Sequence, residues 1–265
     1  MKTSSNSTLL SLYKKDLMSV KFESLMIFAA IFLGHLYFAY KITTGWQPFT
    51  ILGTSTMLFF LAIFIILLGT FSSVRREWNN NTIYLIMSLP VDGKRIFFSK
   101  LLTVMTQLIV LGGTSALMGI LFSLYFLGSE FILEAFGFLS NYQLFEVLLK
   151  VITLSFLTVI QMIIFAFFST MIGYLFKKFS GVITFVTFIM TNILAGKIMA
   201  LVNNAITPIE NQFDHILMNP SPGSQIMASG ILSSEFFVMQ VVAIFLISAV
   251  FFFFAAALYD KKVEL

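Results

Sequence analysis

Six long apolar runs dominate this chain of 265 residues. A helix needs about 20 apolar residues to cross the hydrocarbon core of a bilayer, and each run is long enough. A membrane β-barrel would show short alternating segments instead, so these continuous runs predict helices. Only 11% of the residues are charged, whereas soluble domains carry about 25%. We therefore predict an all-α membrane protein with six transmembrane helices. The predicted spans are Phe22–Tyr40, Phe49–Val74, Leu101–Leu127, Val147–Phe176, Gly181–Leu201 and Phe236–Tyr259.

Lysine and arginine residues lie mostly on one side of these spans. Thirteen of the 16 fall in the N-terminal segment, the second-to-third connection, the fourth-to-fifth connection or the C-terminal segment. Because basic residues favour the cytoplasmic side, both termini are predicted to be cytoplasmic. No small-residue cleavage site follows a short apolar core near the N-terminus, so we expect the first span to be retained. The predicted location is the bacterial plasma membrane, which the chain crosses several times.

The segment 7–21, before the first span, has its own pattern. Leu10, Tyr13, Leu17 and Val20 recur at steps of three and four, and lysines occupy other faces. This spacing predicts an interfacial amphipathic helix on the inner membrane surface, with its lysines near anionic head groups. A disordered basic leader is the alternative interpretation.

The segment 202–235, before the sixth span, is long and mixed in composition. Pro208, Pro220 and Pro222 prevent one helix from running through it. It also holds more apolar residues than a solvated loop needs. We predict short, re-entrant-like helices on the external side, because non-helical backbone at membrane depth must be buried against protein. An ordinary external loop is the alternative.

The chain lacks the residue patterns that catalysis, metal binding or ATP binding require. Cysteine is absent, and His35 and His215 are the two histidines of the sequence. No phosphate-binding loop, with its spaced glycines followed by Lys and Ser or Thr, is present. No Asp or Glu lies near the middle of a predicted span, which disfavours an ion-coupled secondary transporter. We therefore expect no enzyme and no catalytic, cofactor or metal site.

Four polar residues inside the spans are candidates for a substrate pathway. His35 lies in the first span, and the others, on one face of the fifth span, are Thr184, Thr187 and Thr191. A structural role is the alternative for each. The histidine would then bond to a neighbouring helix, and the threonines would bond back to carbonyls of their own helix.

Small residues spaced by four predict places where two helices approach closely. Such spacing occurs in the third, fourth and fifth spans. The pairs are Gly112 and Ala116, Ser115 and Gly119, Ser169 and Gly173, and Gly196 and Ala200.

The longest charged segment lies between the second and third spans, at residues 75–100. Within it, Thr82 is suited to cap a helix. Ile83–Leu89 then forms a short apolar helix, and Pro90 ends it because the residue before proline avoids helical geometry. This helix is too short to cross a membrane. We predict that it lies at the cytoplasmic face and offers an apolar side to another protein.

This loop resembles the corresponding loop in the permease subunits of type-2 ABC exporters. In that family, a Glu near the end of the second span is followed by a Gly-Thr-like turn and a short Leu-rich helix. A Leu-Pro pair, one or two basic residues and a Lys entering the third span then follow. Asn81 stands where the family commonly has Gly. The matching residues are Glu77, Thr82, Leu85, Leu89, Pro90, Lys94, Arg95 and Lys100.

The resemblance implies a coupling helix that docks into a separate nucleotide-binding ATPase subunit. Two permeases would assemble with two ATPases in membrane lipid, without nucleic acid. A homodimer of this chain is favoured over a heterodimer with a related permease. ATP and Mg would bind to the partner ATPase, and this chain would bind no cofactor. The implied contact residues are Glu77, Thr82, Ile83, Leu85, Ile86, Leu89, Pro90, Lys94 and Arg95.

The leading functional interpretation is therefore a permease that exports an amphipathic or hydrophobic substrate. The spans offer aromatic and hydroxyl side chains without charges near their middle. Within the family, the chain looks similar to small bacterial permeases for amphipathic peptides, such as phenol-soluble-modulin exporters and lantibiotic-immunity transporters. A lipid or drug substrate stays open. The alternative function is a non-transporting immunity or sensor module that binds peptides or a signalling partner.

Overall fold

A computed structural model describes residues 5–79, 92–139, 142–176, 179–206 and 234–263. Throughout these residues, the regular structure consists of helices. Six of them are long and apolar enough to cross a membrane, which confirms the predicted all-helical class and number of spans. The helices are α1 (Ser5–Thr43), α2 (Thr50–Asn79), α3 (Gly93–Leu139), α4 (Tyr142–Leu175), α5 (Ser180–Ile206) and α6 (Ser234–Val263).

Residues 7–21 were predicted to form an interfacial amphipathic helix, and their place on the inner membrane surface stays a prediction. This segment is helical, but it continues into the first span as α1, a single helix of 39 residues. At 1.5 Å per residue, α1 is about 58 Å long, roughly twice the thickness of the hydrocarbon core. Within the protein, Leu12 and Asp16 of this segment are buried, whereas Leu10 is exposed.

The third helix is longer than the predicted span at both ends. It begins at Gly93, so residues 93–100 of the predicted loop form its first two turns. Its regular geometry breaks at Gly128, where φ is +83° and ψ is 168°. Glycine reaches positive φ without the steric cost that a Cβ atom brings. The predicted end of the span, Leu127, is the residue before this break.

The described residues fall into two compact units. The first comprises residues 1–141 and 256–265, and in it α1, α2 and α3 pack against one another in all three pairs. Its buried apolar residues include Ile27 and Ile31 of α1, Ala62 of α2 and Val104 of α3. These side chains form a three-helix core.

The second unit comprises residues 142–255, and in it α4 packs along α5. Phe165, Ala195 and Ile247 form a buried apolar cluster, with one residue from each of α4, α5 and α6. The ring of Phe251 meets Phe165 edge to face, with the centroids 5.0 Å apart. Aromatic pairs prefer this geometry, so the cluster joins the three helices of this unit.

Close approach within the second unit occurs where Gly173 of α4 meets α5. A Cβ atom at Gly173 would lie 2.8 Å from the Ser180 carbonyl oxygen and would collide with the Thr184 hydroxyl. The Ser169–Gly173 pair is therefore a packing site, as its spacing predicted. At the Gly196–Ala200 pair, no atom of the described residues lies within 4 Å of a Cβ atom at Gly196, so close packing there stays a prediction.

Candidate functional site

A buried ion pair joins α1 to the second turn of α3. The Asp16 carboxylate accepts a hydrogen bond from Ser99 Oγ at 2.7 Å, and Lys100 Nζ lies 3.7 Å from its other oxygen. The Asp16 and Lys100 side chains are only 7% and 3% exposed. Buried charges persist in proteins only where they are paired and hydrogen-bonded, so these contacts hold the two helices together. No local sequence pattern indicated this pairing, although the family resemblance already included Lys100.

A second contact joins α1 to the last turn of α2. Arg76 donates hydrogen bonds to Glu23 Oε2 at 3.0 Å and to the Ser19 carbonyl oxygen at 2.9 Å. Gly69 makes room for this carboxylate, since a Cβ atom there would lie 2.5 Å from Glu23 Oε1. A cation at the C-terminal end of a helix also interacts favourably with the helix dipole. Arg76 therefore fixes the point at which α2 leads into residues 80–91.

A third contact fixes the start of α3 to the last turns of α6. The Gly93 backbone N–H donates to Asp260 Oδ1 at 2.7 Å, and the Phe97 and Tyr259 rings meet edge to face. A carboxylate at a helix N-terminus satisfies a donor that the helix leaves unpaired and favours its dipole. The backbones approach so closely that a Cβ atom at Gly93 would lie 3.1 Å from the Ala256 carbonyl oxygen.

These three contacts lie before and after residues 80–91 in the sequence. We call the five charged residues Asp16, Glu23, Arg76, Lys100 and Asp260 the anchoring residues. Arg76 precedes residues 80–91 and is tied to α1. Lys100 follows those residues and is tied to α1 as well. Asp260 holds the first residue of α3. The arrangement thus fixes both ends of the connection between the second and third helices.

The predicted contact residues relate to this arrangement in different ways. Lys94 is exposed and Arg95 is half-buried, both in the first turn of α3 rather than in a loop. Glu77 belongs to the last turn of α2, and its side chain is outside the description. The other predicted contacts lie outside the described residues. They are Thr82, Ile83, Leu85, Ile86, Leu89 and Pro90.

His35, the first candidate for the pathway, is completely buried in the first unit. Its Nδ1 atom lies 2.9 Å from the Ile31 carbonyl oxygen, one turn earlier in α1. Its ring stacks on Phe122 of α3, with the centroids 5.7 Å apart. The Nε2 atom has no hydrogen-bond partner among the described residues. These contacts match the structural alternative more closely than an open pathway, although the histidine bonds within its own helix.

The three threonines of the fifth helix lie in the second unit. Thr184 donates to the Ser180 carbonyl oxygen at 2.8 Å, and Thr191 donates to that of Thr187 at 2.7 Å. Both hydroxyls therefore bond back to their own helix, which was one of the two readings of their spacing. Asn192 bonds in the same way to Phe188. A role for these threonines in a pathway stays a prediction.

Several charged side chains of the described residues form ion pairs. No group of three or more His, Cys, Asp or Glu side chains is placed to hold a metal ion in the parts of the chain described here. Ion pairs join two helices, as in Arg76 with Glu23, or lie within one turn of a helix, as in Lys150 with Glu146 at 2.7 Å.

Comparison with known proteins gives one match. Residues 14–169 match the family described as ABC-2 family transporter protein. The matched region is more than half of the chain and contains four of the five anchoring residues, together with residues 80–91. No curated protein matches the chain, and no solved structure matches it either.

Proposed function

Because this chain belongs to the ABC-2 family of transporter proteins, we propose that it exports an amphipathic peptide with energy from ATP hydrolysed in another subunit. Membership makes the chain a permease subunit of an ABC transporter, the membrane component, which is not itself catalytic. Permeases of this family normally work with a separate ATPase subunit. In the proposed complex, ATP and Mg bind to that ATPase, and two copies of this chain form the membrane part.

The observation that carries the proposal is the fixing of both ends of residues 80–91. Arg76 ties the entry to Glu23, and Ser99 and Lys100 tie the exit to Asp16. A coupling segment must pass movement to the spans rather than absorb it in a loose loop. Charged contacts within a rigid three-helix unit meet that requirement, because packed elements transmit displacement. We propose that residues 82–89 form the coupling helix and dock into the ATPase.

The proposed substrate class rests on the composition of the spans. The spans are rich in aromatic residues, since the whole sequence has 33 Phe, and they also carry hydroxyl groups such as that of Thr187. A peptide with an apolar and a polar face suits such a surface better than a small ion does. We propose the modulin-type and related amphipathic peptides as the substrate group, with export from the side on which the basic residues cluster.

Purification of the full-length chain from its native membrane tests the proposed function. We expect an ATPase subunit to copurify in a fixed ratio with the permease. The ATPase activity of that complex should rise when an amphipathic peptide is added, and a scrambled peptide of equal composition serves as the control. Repeated purification without any ATPase would contradict the proposal and favour a non-transporting immunity or sensor module.

Reversal of the charge at Glu77 is expected to uncouple ATP hydrolysis from transport. In the proposed complex, Glu77 pairs with a basic residue of the ATPase. Loss of one partner from such an interfacial charge pair costs about 2–5 kcal/mol, so Glu77→Lys should reduce transport at least tenfold. Membrane insertion should be unchanged, because the substitution lies at the end of α2. Transport of a labelled peptide into inverted vesicles measures the effect. Glu130→Lys, the same reversal at an exposed site in α3, is the matched control. Wild-type transport by Glu77→Lys would exclude the coupling role.

A further inference from the structure

A groove between α1 and α3 lies on the surface of the first unit. Its volume is about 380 Å³, within the range of roughly 300–1,000 Å³ that small-molecule sites occupy. Leu17 and Met18 of α1 and Val110 and Leu111 of α3 give it apolar walls. Met18 is 63% exposed and Val110 is 54% exposed, so the groove is open toward the surroundings of the helices.

The polar groups of the groove are few and differ in their partners. Ser24 and Gln107 bond to each other at 2.8 Å, so they connect the two helices across the groove. Among the described residues that line it, Lys21 is the charged one. Lys21 and Lys14 are exposed and seven residues apart, which places them on the same face of α1. No ion pair involves either lysine among the described residues, whereas nearby Glu23 is paired with Arg76.

The groove lies at the level where charged sequence gives way to apolar sequence. The Asp16–Lys100 pair is just before Lys21 along α1, and the continuous apolar part of α1 begins with Leu25. In a bilayer, this level corresponds to the boundary between head groups and acyl chains. Lysines at such a boundary extend their ammonium groups toward the head groups while their stems lie along apolar surface.

We propose that this groove binds one anionic phospholipid. Its acyl chain lies along Val110 and Leu111, and its phosphate contacts the Lys21 ammonium group, with Lys14, seven residues earlier on the same face of α1, adding a second positive charge nearby. Charge complementarity selects this occupant, because an apolar groove lined by Lys21, which has no ion-pair partner among the described residues, matches an acyl chain that ends in an anion. The proposal depends on insertion into a membrane and does not depend on what the permease exports.

A bound lipid would bridge the two helices that the Asp16–Ser99 contact joins. A ligand that binds only the folded state stabilises it in proportion to its concentration and affinity. The phospholipid would therefore strengthen the α1–α3 packing beside the anchoring residues. The stability of this part of the permease would then depend on the anionic lipid content of the membrane.

Native mass spectrometry of the delipidated full-length chain tests the site. The probes are phosphatidylglycerol and phosphatidylcholine with identical acyl chains. We expect one phosphatidylglycerol to bind in preference to phosphatidylcholine. Each basic residue near an anionic surface contributes about 1 kcal/mol, so Lys21→Gln should weaken phosphatidylglycerol binding about fivefold. The double substitution of Lys14 and Lys21 should weaken it about 25-fold. Phosphatidylcholine binding should be unchanged in both variants.

Two controls separate the groove from general attraction to lipid. Lys197→Gln removes an equally exposed charge outside the groove and should leave binding unchanged. Val110→Trp fills the groove at an exposed position and should weaken the binding of both lipids. Equal affinity for the two lipids, or wild-type affinity in Lys21→Gln, would overturn the proposal. So would efficient cross-linking between Met18→Cys chains in this cysteine-free protein, because a second copy would then occupy the groove.

Discussion

Asp16→Asn is expected to lower the free energy of unfolding by about 3 kcal/mol or more. The substitution keeps the size of the side chain but removes the negative charge beside Lys100, whose side chain is 3% exposed. Removing one member of a buried ion pair is strongly destabilising, because the remaining charge has left water without full compensation. The free energy of unfolding in detergent, compared with that of the wild type, measures the effect.

The Asp16 carboxylate offers its own matched control. Lys15 contacts the same carboxylate at 3.3 Å, but its side chain is 46% exposed. Exposed ion pairs contribute about 1 kcal/mol or less, so Lys15→Gln should change the stability little. Equal losses in Asp16→Asn and Lys15→Gln would show that burial of the pair does not determine its contribution. Asp16→Asn combined with Lys100→Met should recover part of the loss, because the buried ammonium group that lost its carboxylate is then removed as well.

Gly173→Ala is expected to lower the stability of the second unit by about 1–3 kcal/mol. A methyl group at this position meets the Thr184 side chain and the Ser180 backbone of α5. The threonine side chain has little freedom, since its hydroxyl bonds to Ser180. The α4 and α5 helices must therefore move apart, with loss of packing along their contact. Thermal unfolding of the purified protein measures the change.

Gly196→Ala provides the comparison for this substitution. Gly196 is also a glycine within α5, but a Cβ atom there has open space around it. Alanine favours a helix over glycine by about 0.5–1 kcal/mol, so this variant should be neutral or slightly more stable. Opposite signs for the two variants would separate close packing from helix propensity. A neutral Gly173→Ala would contradict the close approach of α4 and α5.

The class of fold was predictable because each transmembrane helix is indicated by a run of about 20 or more apolar residues together. A stretch such as Thr50–Arg76 is predominantly apolar as far as Val74, so small errors at single residues do not change its interpretation. The break at Gly128 was also within reach, because the predicted span ended one residue earlier. The continuity of α1 also has a basis in the sequence. Between Ser5 and Lys21 there is neither proline nor glycine to interrupt a helix.

The candidate site was harder to predict because its contacts join distant parts of the chain. Asp16 and Ser99 are 83 residues apart, and each looks like an ordinary polar residue near a membrane surface. Nothing local distinguishes a solvated Asp from one that a neighbouring helix buries. The same reason explains the small-residue pairs. Their spacing indicated where a helix is narrow, but only the fold decides whether another helix lies there, as it does at Gly173.

The continuous geometry of α1 gives it the mechanical properties of a lever. Arg76 and Lys100 attach the two ends of one connection to the same helix, so neither attachment is displaced without a load on the other. Because α1 runs unbroken from Ser5 to Thr43, it has no hinge that could bend and absorb a force applied at these attachments. A small tilt applied near Asp16 thus becomes a larger sideways travel at the far end, about 40 Å away.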